Sequence, residues 1–203
     1  MNRKGFTLIE LLAVVIILGV IMTIAVPNVL SMLDRNKKST FIEHAKTMVN
    51  QAEYTLRKDT NIEYPVNHQD MIIITLEYLN TDDIKESPYN TFYSPTKSFV
   101  AIVNNTIGEV TEYNYYVHLV SCTDEGCTNQ EENAVNKNRG INLVISTELD
   151  SGDKYDLVKE GIDVDIALGT LENDNTLSNI DKIKSLLGGL PDTSVVKVFN
   201  KLS

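Results

Sequence analysis

Glu10 is the residue whose chemistry fits its surroundings least. It lies in the run Phe6 to Val26, 21 residues in which only Thr7, Glu10 and Thr23 are polar. A carboxylate inside an apolar membrane helix costs about 2.5–3.5 kcal/mol at the bilayer centre and less near the interface, so it needs a partner. No Lys, Arg or His lies between Lys4 and Arg35, and the helix supplies no internal cation. A cut after Gly5 would create an α-amine on Phe6, and Glu10 of one chain could then pair with the Phe6 amine of a neighbour. The second reactive pair is Cys122 and Cys127, separated by Thr-Asp-Glu-Gly. On an exported chain a disulfide is the natural reading. Two free thiols are the alternative, and zinc would have only His118 nearby, about 13 Å away along a strand.

The remaining candidates argue against catalysis. Asp150, Asp153, Asp156, Glu160, Asp163 and Asp165 offer oxygen ligands of the kind calcium takes. Their spacing does not match an EF-hand loop, and they read as a solvated acidic face. His44, His68 and His118 are isolated, and no H-E-x-x-H, G-x-S-x-G or Gly-rich phosphate loop is present. Tyr113, Tyr115 and Tyr116 read as sheet surface. No metal site and no cofactor is expected. The 203 residues carry 18 Lys and Arg against 28 Asp and Glu, a net charge of −10. So acidic a chain is not a nucleic-acid binder by bulk charge, and 42% hydrophobic residues exclude a disordered one.

The elements that must position Glu10 begin with a helix. Residues 6–26 would span about 31 Å, the thickness of a bilayer core, with Arg3 and Lys4 as the cationic cytoplasmic flank. A signal anchor is the bland reading; a cleaved secretory signal fits worse, because Ala25-Val26-Pro27-Asn28 is a weak cleavage site. Pro27 is expected to kink the helix. Beyond it Leu30, Leu33, Phe41, Ala45, Met48, Ala52 and Leu56 recur at three- and four-residue steps. The helix should end at Asp59-Thr60-Asn61 before Pro65. A helix from Phe6 to Lys58 would be about 80 Å long. Half of it must project into lipid or into copies of itself.

His68–Leu79 is ambiguous and is assigned to a short helix, and residues 85–90 to a turn-rich loop. Strands are predicted at Ser98–Asn104, Val110–Cys122, Ile141–Thr147 and Gly161–Leu168. Ser178 to Asp181 looks like a capping box opening a helix that Gly188-Gly189 and Pro191 stop. A last strand fits Val195–Phe199.

Lys4-Gly5-Phe6-Thr7-Leu8-Ile9-Glu10-Leu11-Leu12, followed by the apolar run and Pro27, resembles the N-terminus of type IV prepilins and pseudopilins. The resemblance covers about thirty residues. A fainter similarity to Gram-positive pilins lies in Ile84–Tyr89, Ser98–Val103 and Tyr113–Leu119. The N-terminal resemblance implies a basic leader, residues 1–5, cut between Gly5 and Phe6 by prepilin peptidase, with N-methylation of Phe6. Glu10 would be the assembly glutamate and Pro27 the kinking proline. Residues 6–30 would form the transmembrane and assembly helix, and residues 31–203 the ectodomain. The implied fold is α+β and pilin-like, a long N-terminal helix packed on an antiparallel sheet. The implied role is structural, not enzymatic. The chain would be a type IV pilus subunit, of the Gram-positive minor type, held in the membrane by a single pass before polymerising into an extracellular filament for adhesion, motility or surface colonisation. Its partners would be other pilins, the peptidase and the assembly machinery. A pseudopilin of a DNA-uptake or secretion system is the alternative.

Overall fold

The computed structural model describes residues 7–79, 81, 84, 86–124, 127, 138–162 and 174–200. The architecture is α+β and pilin-like, a long N-terminal helix followed by a mostly antiparallel sheet. Helix α1 spans Leu8–Lys58 and runs on through Pro27. The chain forms two compact units that divide between Lys37 and Lys38. In the first, the apolar side chains from Leu8 to Leu33 are exposed. They have no polar face to alternate with, so Leu30 and Leu33 continue the apolar run and do not begin the buried stripe assigned to them from sequence.

In the second unit the amphipathic stretch of α1 buries Phe41, Ile42, Ala45, Met48, Val49, Ala52 and Leu56. These side chains share one core with Ile72, Ile74, Val100, Ile102, Val117, Leu119 and Ile141 of the sheet. Among the described residues the sheet has eight strands: β1 (Met71–Thr75), β2 (Glu86–Ser87), β3 (Thr91–Tyr93), β4 (Phe99–Asn104), β5 (Tyr113–Cys122), β6 (Arg139–Ile145), β7 (Lys159–Glu160) and β8 (Val196–Phe199). The order is β2-β3-β5-β4-β1-β8, with β6 on β5 and β7 on β6. Every pairing is antiparallel except β1 with β8.

A second core lies on the opposite face. Met71, Ile73, Phe99, Ala101 and Val103 pack there with Ile183, Val198 and the half-buried Ile180 and Leu187. Ile180 and Ile183 belong to α3, Asp174–Leu186. The sheet is thus covered by a helix on each face, and β1 and β4 are buried at every position. This corrects the helix assigned to His68–Leu79. Met71-Ile72-Ile73-Ile74-Thr75 is a strand, and only Leu76–Leu79 form a short helix, α2. A strand buried on both faces has lost the alternation that would reveal it.

Other differences are smaller. Residues 86–93 form a hairpin, where the sequence suggested a loop, and Asn90 takes the left-handed conformation at its turn. Helix α3 begins before Ser178, which therefore lies inside it and is not its cap. Its C-terminus closes on Gly188 and Gly189, both at positive φ, and the Gly189 N–H returns to the Lys184 carbonyl. Residues 146–147, assigned to a strand, open the 3-10 helix Ser146–Asp150. Of the strand expected over Gly161–Leu168, only Gly161 and Ile162 are described; 163–168 lie outside the described residues.

The last strand has little sheet to hold it. It has four residues, stands at an edge and pairs in parallel, and parallel pairing is the less stable kind per residue. Side chains fasten both of its ends. Asp70 Oδ1 accepts from the Val195 N–H at 2.9 Å, and Thr75 Oγ1 donates to the Phe199 carbonyl at 3.2 Å.

Candidate functional site

Glu10 closes the first turn of α1. The Leu11 N–H bonds the Thr7 carbonyl at 3.2 Å, which makes Thr7 the N-cap. The Thr7 N–H donates to Glu10 Oε2 at 2.8 Å, and the Thr7 hydroxyl donates to the same oxygen at 2.9 Å. In return Thr7 Oγ1 accepts from the Glu10 N–H at 3.4 Å. This is a capping box: each residue satisfies a donor of the other at a helix end where backbone N–H groups have no partner. Sequence reasoning saw no internal cation for Glu10 and missed this neutral partner. The signal was present, since Thr7-Leu8-Ile9-Glu10 has the capping-box spacing. Gly5 and Phe6 lie outside the described residues, so the expected junction has no described geometry.

Thr23 of the apolar run and Asn28 just past it are bonded back to their own helix. Thr23 Oγ1 donates to the carbonyls of Val20 at 2.7 Å and Gly19 at 3.1 Å. Asn28 Nδ2 donates to the Ile24 carbonyl at 3.0 Å. Asn28 thus covers a backbone carbonyl one residue past that of Thr23, which Pro27 cannot engage because it lacks an N–H. The helix is long and apolar enough to cross a membrane, and none of its most apolar window is buried within the chain.

In the head, Cys122 and Cys127 are joined by a disulfide, with Cα atoms 5.2 Å apart. Both are buried with Val120 and Ile162. Lys97 Nζ donates to the Cys127 carbonyl at 3.2 Å and secures the loop against the start of β4. The bond engages both sulfurs, so neither is a thiolate ligand. Among the described residues, no group of three or more His, Cys, Asp or Glu could hold a metal ion.

The histidines are not brought together. His44 Nδ1 lies 3.0 Å from the Tyr93 hydroxyl, and desolvation holds its pKa below the ordinary value. Burial raises the Tyr93 pKa. His118 is fully buried, with its ring 4.9 Å from that of Phe99. The three strand tyrosines divide between the sheet faces. Tyr113 and Tyr115 pack against the α1 core, and Tyr116 against the other. Of the acidic stretch, Asp150 reaches Lys46 of α1 at 2.6 Å, Glu160 pairs with Arg139, and Asp163 and Asp165 lie outside the described residues. At the end of α1 the Tyr78 hydroxyl donates to Asp59 Oδ2 at 2.6 Å and, with the Asn61 N–H, holds the Asp59 pKa below the ordinary value.

Against known families, residues 1–26 match the family described as the prokaryotic N-terminal methylation motif. No curated protein and no solved structure matches the chain. The match covers the Gly5-Phe6 junction, the capping box and the apolar run up to Pro27, the segment in which the chemistry of Glu10 is concentrated. Over residues 1–26 the chain is similar to this motif, and the match supports a prepilin of the type IV pilin or pseudopilin type.

Proposed function

We propose that the chain is a structural subunit of a type IV pilus, a minor pilin of the Gram-positive type. Residues 1–5 are the leader, removed by prepilin peptidase between Gly5 and Phe6, and Phe6 is then N-methylated. Residues 6–30 hold the precursor in the membrane by a single pass and later pack in the filament; residues 31–203 are the ectodomain. The observation that carries this reading is Glu10, a lone carboxylate on an exposed apolar helix that begins within a methylation motif.

Moving such a helix from lipid into a bundle of like helices changes apolar surroundings for apolar surroundings. The hydrophobic gain is small, so packing and polar pairing decide register and direction. Pairing of Glu10 with the Phe6 ammonium of a neighbour supplies that specificity, and the assembly machinery supplies the work of extraction.

The test is to shear filaments from cells, sequence the N-terminus of the incorporated chain by mass spectrometry and label the filaments with immunogold. N-methyl-Phe6 and sparse decoration along extracellular filaments are expected. An intact Met1 leader, or a chain confined to the membrane, overturns the reading. A mature chain starting at Phe6 with no filament outside the cell would move it to a pseudopilus.

A further inference from the structure

A second region of the head brings side chains together with no part in helix assembly. Between α1 and the Ser146–Asp150 3-10 helix lies an open groove of about 340 Å3. That volume falls in the range of small-ligand sites, about 300–1,000 Å3. Val49 and Leu149 lie buried beneath the groove. Lys46, Asn50 and Glu53 line one wall. Their spacing of four and three residues places them on one helical stripe about 10 Å long. Ser146, Thr147 and Asp150 line the other wall, and Tyr115 supplies an aromatic surface.

The charges on these walls are already compensated. Lys46 Nζ lies 2.6 Å from Asp150 and 3.1 Å from Glu43, and Glu53 pairs with Arg57. The hydrogen bonds from Lys46 to Asp150 and Glu43 hold its pKa above the ordinary value, so it stays charged and paired. Desolvation first, then the nearby Tyr64 and Glu53, push the Tyr115 pKa up to about 12, so its hydroxyl keeps its proton. The Asn50 amide and the Ser146 and Thr147 hydroxyls are different. Among the described residues, no hydrogen bond engages these three side chains.

This pattern selects a ligand chemistry. A phosphate or carboxylate needs an uncompensated cation, and Lys46 is neutralised twice. A metal ion needs free converging carboxylates, and Asp150 and Glu53 are both paired. What fits is a neutral molecule with one apolar face and a rim of groups that both donate and accept. A pyranose ring has that form. Its C–H face suits the Tyr115 ring, and its hydroxyls suit an amide and two hydroxyls, each able to donate and accept. We propose that this groove binds a neutral pyranose saccharide, one or two rings long.

The test uses the full chain in amine-oxide micelles, which carry no sugar head groups. Saturation-transfer NMR is recorded with the methyl glycosides of glucose, galactose, mannose and N-acetylglucosamine. Transfer to at least one of them is expected. Asn50→Ala removes an exposed amide that the fold does not use, and should weaken binding about fivefold. Tyr115→Leu should weaken it about tenfold. Calcium and inorganic phosphate should not displace the sugar. No transfer to any glycoside, transfer that survives both substitutions, or displacement by phosphate or calcium would overturn the proposal.

Discussion

Removing the Asp70 carboxylate should release the last strand before it loosens the rest of the sheet. Asp70 is 8% exposed. Its oxygens accept from the Val195 N–H at 2.9 Å, Asn67 Nδ2 at 2.7 Å and the Asn67 N–H at 3.2 Å. Hydrogen bonds to a charged group contribute about 1.5–3 kcal/mol each before offsets. The Asn67 donors are exposed and can turn to water, so most of the loss is the Val195 bond and the ordering it supports. Asp70→Ala should therefore cost about 2–3 kcal/mol, which lowers Tm by about 4–12 °C in a chain of this size. Asp70→Asn keeps an acceptor for Val195 but turns donors toward Asn67, and should fall between wild type and Asp70→Ala. Desolvation pushes the Asp70 carboxyl up, but the three hydrogen bonds outweigh it and hold its pKa below 3.8. Because the folded pKa is depressed, this stability is complete above the unfolded pKa and is lost as pH falls through the folded one. The acid sensitivity of β8 should thus appear only as pH falls below the ordinary carboxylate range, and Asp70→Ala should abolish it. The assay is amide hydrogen exchange by mass spectrometry on the full chain in micelles, read over residues 191–200 and over β5. Unchanged protection of 191–200 in Asp70→Ala, or equal loss in both segments, would refute the reasoning.

Glu10→Ala should enter membrane more readily than wild type, because it removes a desolvated carboxylate, and should enter filaments poorly; equal ratios in membrane and sheared-filament fractions would contradict the pairing role. Thr7→Val removes the hydroxyl of the capping box at a cost of about 0.5–2 kcal/mol to the first helical turn, measurable as faster exchange of the amides of Leu8–Leu11 in micelles. Cys122→Ala with Cys127→Ala should lower stability by no more than about 2 kcal/mol, since the closed loop is short; a melting curve of the double variant checks this. Gly140→Ala should cost at least about 2 kcal/mol, because a Cβ there would meet the Leu119 carbonyl oxygen at 2.2 Å; a variant melting with wild type would show that the β5–β6 bulge can shift.

What the sequence determined by itself was local in the chain. The apolar run, the lone Glu10 and the Gly5-Phe6 junction are contiguous, and Thr7 with Glu10 forms a cap across three residues that pattern alone could have revealed. The buried stripe from Phe41 to Leu56 and the end of α1 at Lys58 follow from helical spacing and the turn residues after it. Cys122 and Cys127 are five residues apart, close enough for the disulfide to be read from spacing and compartment. Tertiary structure decided the rest. Met71–Thr75 is a strand by its pairing with β4 and β8, and because residues of α3, far along the chain, pack on its second face it carries apolar side chains on both faces, without the alternation that identifies strands. The groove beside α1 brings Lys46 opposite Asp150 across the fold, and the parallel seat of β8 joins the β1 ladder to the Asp70 bond with the Val195 N–H. Such contacts join residues far apart in sequence, where each side chain's chemistry is visible but its partner depends on the packing of the whole sheet.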